Sequence, residues 1–149
     1  EIPRPKAPPK FEDVHEGALV VVHRDGRRLL AVQRGDEGRW AGLWDFPRYT
    51  LDGDSPSRES STLAKQAKAT LGLDVAVGDA VHRLKYGVTR FRITLDTYDA
   101  RCLGGRLKPV GFADARWLRP AELAELPLNV SARKLAKFVM SRSGLLAAE

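Results

Sequence analysis

The chain of 149 residues contains a single cysteine, Cys102, and it has no apolar run long enough to span a bilayer. One cysteine excludes an internal disulfide, and it cannot assemble a zinc or iron–sulfur site alone. The N-terminus also lacks the apolar core of a secretory signal peptide. We therefore expect an intracellular, cytoplasmic protein in a reducing compartment, with no membrane partner and no cofactor bound in this chain.

Basic residues are plentiful. Lys and Arg number 25 against 19 Asp and Glu, which gives a formal net charge of +6 and a pI near 9.8. That balance favours a polyanionic partner such as nucleic acid, although a well-solvated basic surface explains the same numbers. Hydrophobic residues make up 43% of the chain, which is enough for the core of one ordinary domain.

The first residues are rich in proline and lysine. Proline fixes φ and removes a backbone donor, so this segment is expected to be extended and poorly folded. We interpret residues 1–13 as an interdomain linker and residues 14–149 as one domain. An ordinary frayed terminus is the alternative. The prolines concerned are Pro3, Pro5, Pro8 and Pro9.

Hydrophobic patterning predicts an α/β domain. A β-hairpin is expected at residues 18–32, with Asp25-Gly26 in its turn. Apolar residues at i, i+4 and i+8 predict a helix over residues 59–71, which Gly72 would terminate. Further strands are predicted at 73–77, 80–86, 89–101 and 115–118, a turn at Gly104-Gly105, and helices at 120–126 and 130–140.

An aromatic segment, Arg39-Trp40-Ala41-Gly42-Leu43-Trp44-Asp45-Phe46-Pro47, precedes the helix that ends in Gly72-Leu73. This order resembles the Nudix superfamily, whose signature is G-x5-E-x7-R-E-U-x-E-E-x-G-U. The resemblance implies a Nudix fold, a mixed sheet sandwiched between helices. Anchored on Gly72-Leu73, the glutamates of the signature core fall on Gln66, Ala69 and Thr70. Active members hold Mg²⁺ with such carboxylates, so no metal site is expected here.

A degenerate signature in this fold is similar to the C-terminal domain of MutY-type adenine DNA glycosylases. The aromatic segment matches the W-x-G-L-W-E-F-P stretch of that family, and residues 126–135 resemble its closing L-P-x-P and R-K-hydrophobic helix. The resemblance implies a recognition module without hydrolase activity, which reads 8-oxoguanine opposite mispaired adenine in base excision repair. Its implied partners are double-stranded DNA and an N-terminal catalytic domain that carries an iron–sulfur cluster.

In that family a loop before a strand, commonly H-x-F-[ST]-H, helps to recognise the lesion, and residues 86–90 match it here. Only Thr89 keeps the family's residue type, with a hydroxyl that can both donate and accept. Basic side chains nearby can form ion pairs and hydrogen bonds with DNA phosphates. The resemblance thus implies lesion recognition by Tyr86, Val88, Thr89 and Arg90, and we expect DNA-phosphate contacts from Arg83, Lys85 and Arg92.

Other interpretations stay open from the sequence. The chain could be a divergent Nudix nucleotide pyrophosphohydrolase with metal ligands from Asp52, Asp54 or Glu59. It could also be a protein-interaction module that docks through its prolines. Thr89 could simply start a strand. Tyr86, Trp40, Trp44 and Phe46 could serve packing, and the scattered His15, His23 and His82 are interpreted as structural or surface residues.

Overall fold

The computed structural model describes residues 11–35, 40–51 and 56–142, with the backbone alone for 56–58. The strands are β1 (Glu12–Val22), β2 (Leu29–Gln33), β3 (Trp44–Asp45), β4 (Arg48–Thr50), β5 (Leu73–Val88), β6 (Phe91–Gly105) and β7 (Asp114–Leu118). The helices are α1 (Pro56–Leu71), α2 (Pro120–Leu123) and α3 (Val130–Ser141). None of the helices within the described ranges has the length and apolar character needed to cross a membrane.

The strands form one 7-stranded mixed sheet in the order β3-β2-β1-β6-β5, with β4 also paired to β1 and β7 to β2. At its centre β1 and β6 run parallel, in register from Glu12 opposite Phe91 to Val22 opposite Arg101. β5 pairs antiparallel with β6 and closes one end of this order. The long β5–β6 hairpin therefore contributes one central strand, β6, and one edge strand, β5.

Helices cover both faces of the sheet. Side chains alternate along β1, so that Ala18 and Val20 face one core while Leu19 and Val21 face the other. The first core is closed by α3 through Leu135, and the second by α1. The predicted fold class, a mixed sheet sandwiched between helices, is confirmed.

The end of α1 follows the prediction. Gly72 has φ +75°, and a Cβ at this position would lie 2.6 Å from the carbonyl oxygen of Arg106. Only glycine meets both conditions without strain. The turn at Asp25-Gly26 is confirmed as well, with Gly26 at φ +74°.

The hairpin corrects several sequence predictions. The strands predicted at 73–77 and 80–86 are one strand, β5, which stays paired through register shifts between Val77 and His82. Thr89 does not begin the next strand but lies in the turn before it, because β6 starts at Phe91. The predicted turn at Gly104-Gly105 is also wrong, since Gly105 pairs with Leu73 inside β6.

Candidate nucleic-acid interface

The β5–β6 turn carries the residues that the sequence analysis assigned to lesion recognition. Thr89 has φ 52°, a left-handed conformation that strains a β-branched residue. Thr89 and Arg90 are exposed, whereas Tyr86 and Val88 are half-buried. The Thr89 hydroxyl donates to the Val88 carbonyl at 2.7 Å, which leaves the oxygen lone pairs available as acceptors.

Basic side chains flank a cavity of about 540 Å³ on the hairpin face that continues towards α1. Lys85 pairs with Thr94 across the hairpin, and both line this cavity with Arg92. Arg92 Nε lies 3.3 Å from Asp13 Oδ1, and the two side chains are 63% and 80% exposed. Such an exposed ion pair contributes little to the free energy of folding, so a DNA phosphate could replace the Asp13 carboxylate with little loss of stability.

Arg83 is engaged within the hairpin stem. Its Nε and Nη2 donate to the two carboxylate oxygens of Asp96 at 2.7 and 3.0 Å. These hydrogen bonds raise the pKa of Arg83. Burial pushes the pKa of Asp96 upward, but the hydrogen bonds from Arg83 and His15 outweigh it, so the pKa lies below its usual value. A phosphate contact by Arg83 stays a prediction, and it would have to share the guanidinium with Asp96.

His15 sits between two buried carboxylates beneath the stem. Its Nε2 is 2.7 Å from Asp96 Oδ2, and its Nδ1 is 3.4 Å from Glu59 Oε2. The Tyr98 hydroxyl donates to Glu59 Oε1 at 3.0 Å. Burial and this carboxylate raise the pKa of Tyr98. His15 thus links β1, β6 and α1, while Glu59 is occupied by protein partners. The other alternative metal ligands, Asp52 and Asp54, lie outside the described residues.

A buried arginine, Arg48 of β4, contacts the hairpin through Tyr86. Arg48 pairs with Asp45 through Nη2 and Nε, each at 2.9 Å, and its Nη1 lies 3.4 Å from Glu16 Oε1. Nη1 also donates to the Tyr86 hydroxyl at 2.7 Å, and Nη2 to Ser131 Oγ at 2.8 Å. Burial alone would lower the pKa of Arg48, but its anionic and phenolic neighbours raise it. Side chains from β1, β3, β5 and α3 therefore meet at one guanidinium.

Trp40 covers this arginine. Its ring lies 6.1 Å from that of Tyr86, tilted by 31°, and 4.9 Å from the Arg48 guanidinium carbon. Trp40 has φ 60°, and it is with Thr89 one of the two non-glycine residues with positive φ among the described residues. A cavity of about 270 Å³ beside them is lined by Trp40, Leu84, Tyr86, Gly87, Val88, Val130, Ser131 and Lys134.

The positions aligned with the metal-binding glutamates carry different chemistry. The Thr70 hydroxyl donates to the Gln66 carbonyl at 2.8 Å, and its oxygen lies 2.7 Å from the Tyr49 hydroxyl. Burial raises the pKa of Tyr49 to about 12. This part of α1 presents ammonium groups, and Lys68 Nζ lies 3.2 Å from Asp74 Oδ1. In the part of the chain that the structure describes, no group of three or more His, Cys, Asp or Glu side chains could hold a metal ion.

The roles of Arg48 and Asp96 were not predicted from the sequence, and His15 was interpreted only as a structural or surface residue. Charged residues inside apolar strands, such as Asp45 in the aromatic segment and Asp96 after Leu95, were an available signal, because a buried charge needs a partner. No local pattern indicated which partner each would find.

A mixed sheet between helices, with α1 and its terminal glycine at the position of the signature, defines a Nudix-type domain. The sequence profile of the NUDIX domain matches residues 17–137, so the chain belongs to the NUDIX domain family.

The named proteins similar to this chain include a nucleotide pyrophosphohydrolase and a MUTYH domain. The CTP pyrophosphohydrolase of Escherichia coli is 28% identical over 113 residues, which cover 76% of this chain and 82% of that protein. The C-terminal domain of mouse MUTYH, solved in complex with human PCNA, superimposes with a TM-score of 0.60 at 22% identity, over 83% of this chain and 85% of the other. The MutT protein of Methanosarcina mazei gives a TM-score of 0.74 at 15% identity, over 88% and 95%. The structural likenesses show the fold alone.

Proposed function

We propose that the chain is the lesion-recognition module of a MutY-type adenine DNA glycosylase, which binds duplex DNA containing 8-oxoguanine opposite adenine. The observation that carries the proposal is the exposed β5–β6 turn, which presents Thr89 in a strained conformation between basic side chains. Strained, exposed residues on a rigid scaffold are typical of binding sites.

Charge around the turn supports a duplex partner. Lys85, Arg90 and Arg92 are all exposed on this hairpin, and Lys85 and Arg92 flank the cavity of about 540 Å³. Phosphate contacts of this kind give affinity and register, whereas the Thr89 hydroxyl offers a hydrogen bond to a base edge. The hairpin thus combines both contributions that specific DNA binding requires.

The chemistry of α1 supports binding without hydrolysis. Mg²⁺ prefers anionic oxygen ligands, and the positions aligned with the glutamates of the signature are Gln66, Ala69 and Thr70. Thr70 is already hydrogen-bonded to Tyr49 and to its own helix. Lys65 and Lys68, which are exposed on the same helix, would repel a divalent cation.

A comparison of duplexes tests the proposal. The purified chain should bind a duplex with 8-oxoguanine opposite adenine more tightly than the same duplex with guanine opposite adenine. Thr89→Ala should reduce that preference about fivefold or more, since one good base contact contributes about 1–3 kcal/mol of discrimination. Thr89→Ser, which keeps the hydroxyl, is the matched control and should retain the preference. Equal affinity of the unmodified chain for both duplexes would refute the proposal.

The second candidate is a divergent nucleotide pyrophosphohydrolase. It is favoured by the relative named a CTP pyrophosphohydrolase and by the cavity of about 270 Å³, where Trp40 and Tyr86 could enclose a base and Lys134 could attract a phosphate. Sustained Mg²⁺-dependent cleavage of CTP by the chain, abolished in Glu59→Gln, would establish this function. Cleavage that survives Glu59→Gln would come from a contaminant or from other ligands.

A further inference from the structure

The tip of the β5–β6 hairpin has little side-chain support. β5 is the last strand in the sheet order, so the backbone of its outer side has no strand partner among the described residues. Of the described side chains from Lys85 to Arg90, that of Tyr86 is the one that hydrogen-bonds another element. The Thr89 hydroxyl bonds only to the adjacent Val88 carbonyl. On the β6 side the backbone of the tip is held by pairing with β1 and by the hydrogen bond from the Glu12 amide to the Arg90 carbonyl at 3.0 Å. On the β5 side the orientation of the turn depends on how Tyr86 is held.

Arg48 provides a fixed donor for Tyr86. Its side chain is 2% exposed, and the hydrogen bonds from Nη2 to the fully buried Asp45 and to Ser131 hold the guanidinium in place. Nη1 directs one N–H towards Glu16 and donates the other to the Tyr86 hydroxyl at 2.7 Å. The Ser131 contact ties the same guanidinium to α3. The Tyr86 hydroxyl is thereby bonded to a side chain whose position is set by contacts with β3 and α3.

Trp40 also restrains the ring of Tyr86. The two rings lie 6.1 Å apart, and the Trp40 ring also lies over Arg48. A strained φ of 60° at Trp40 is retained only where surrounding contacts over-determine the conformation. The hydroxyl and the ring of Tyr86 are thus both restrained. Tyr86 lies two positions before Val88 and three before Thr89.

We propose that Tyr86 is a positioning residue that, held by buried Arg48 and covered by Trp40, sets the orientation of the Thr89 turn for lesion recognition. The selectivity part of this inference rests on the proposed function. Tyr86 then has an indirect role in recognition and does not contact the base directly, because its phenolic hydroxyl accepts a hydrogen bond from Arg48.

Tyr86→Phe is the informative variant, since it keeps the ring and removes only the hydroxyl. Replacing Arg48 would remove the buried cation that lies 2.9 Å from the fully buried Asp45 and could unfold the chain. Tyr49→Phe is the matched control, because it removes another hydroxyl, the one bonded to Thr70 on the α1 side of the sheet. Amide hydrogen exchange of residues 87–92 is measured first, without DNA. The preference for the 8-oxoguanine duplex over the guanine duplex is measured second.

Tyr86→Phe should speed exchange at the tip about fivefold, as expected for one lost hydrogen bond, and Tyr49→Phe should leave it unchanged. Tyr86→Phe should also reduce the lesion preference by a similar factor while binding to undamaged duplex is retained. Unchanged exchange in Tyr86→Phe, or equal acceleration in both variants, would overturn the positioning role whether or not the chain binds DNA. Faster exchange with an unaltered lesion preference would overturn its link to selectivity. Absence of any preference in the unmodified chain would instead count against the proposed function and, with it, that link.

Discussion

Thr89 is the residue at which stability and recognition conflict. Its β-branched side chain adopts φ 52° in an exposed turn, where glycine would be unstrained. Natural proteins retain such strain where the side chain has a task that an unstrained residue could not perform. The conflict makes the role of this residue measurable by stability as well as by binding.

Thr89→Gly should therefore leave the free energy of unfolding unchanged or raise it by up to about 1 kcal/mol, because relief of strain offsets the greater flexibility of the unfolded chain. The same variant should lose the preference for 8-oxoguanine. Chemical denaturation gives the stability. Thr94→Gly, in the regular part of β6, is the control and should cost about 1 kcal/mol. A large loss of stability in Thr89→Gly would show that the Thr89 side chain serves packing.

Residue roles could be predicted from the sequence only in part. Thr89 was proposed because it matches a family motif and Lys85 because of its charge, and both roles stay predictions. Arg48 could not be identified, because its partners Glu16, Tyr86 and Ser131 are 32, 38 and 83 positions away in the chain. No local pattern encodes the meeting of groups so distant in sequence.

At the scale of elements, the stem of the hairpin is fixed to the sheet and to α1 by Asp96. This buried carboxylate accepts hydrogen bonds from Arg83 of β5 and from His15 of β1, and His15 also reaches Glu59 of α1. Because these bonds favour the ionised carboxylate, the pKa of Asp96 is lower in the folded chain than in the unfolded chain. Its contribution to stability is present above the usual Asp pKa of 3.8 and is lost as the pH falls through the folded-state value.

Asp96→Asn should lower the free energy of unfolding by about 1–3 kcal/mol at pH 7. The difference in the free energy of unfolding between this variant and the unmodified chain should narrow once the pH falls below about 4, where Asp96 of the unfolded chain begins to protonate. Urea titrations at several pH values measure this gap. Asp99→Asn, which removes a more exposed carboxylate paired with Arg142, is the control and should have a smaller effect. A gap that is constant across the pH range would contradict the role of the ionised carboxylate.

Most elements could be predicted from the sequence, because periodicity and capping are local signals. Helix α1 and its glycine end, the first hairpin, β7 and α3 were all anticipated. The boundaries of β5 and β6 were not, since Gly104-Gly105 look like turn residues but pair with Asp74 and Leu73, and Gly78-Asp79 form an irregularity inside β5 and do not end it. Tertiary pairing overrides local preference at these positions.

At the scale of the whole molecule, the net charge of +6 is a weak predictor of where an anion binds. The proposed interface concentrates its basic residues on one hairpin, while others lie on α1. Two variants with the same change in net charge can separate a local interface from a general basic surface.

Lys85→Gln should reduce the slope of log affinity against log salt concentration for duplex DNA by about 1, because one phosphate contact is lost. Lys65→Gln, which removes a charge from the exposed side of α1, should leave the slope nearly unchanged. Fluorescence anisotropy over a salt series gives both slopes. An equal reduction in both variants would indicate binding by overall charge rather than by the hairpin.

The parallel pairing of β1 with β6 has a consequence for how the chain reaches this fold. It joins segments roughly eighty positions apart in sequence, from Glu12 opposite Phe91 onward, so the closure entropy of a long loop must be overcome before the pairing stabilises anything. Folding dominated by such high contact order is slow, on the order of milliseconds to seconds. The edge of β1 that pairs with β6 stays open until β6 has been synthesised, and during that interval it exposes backbone donors and acceptors that the native sheet conceals.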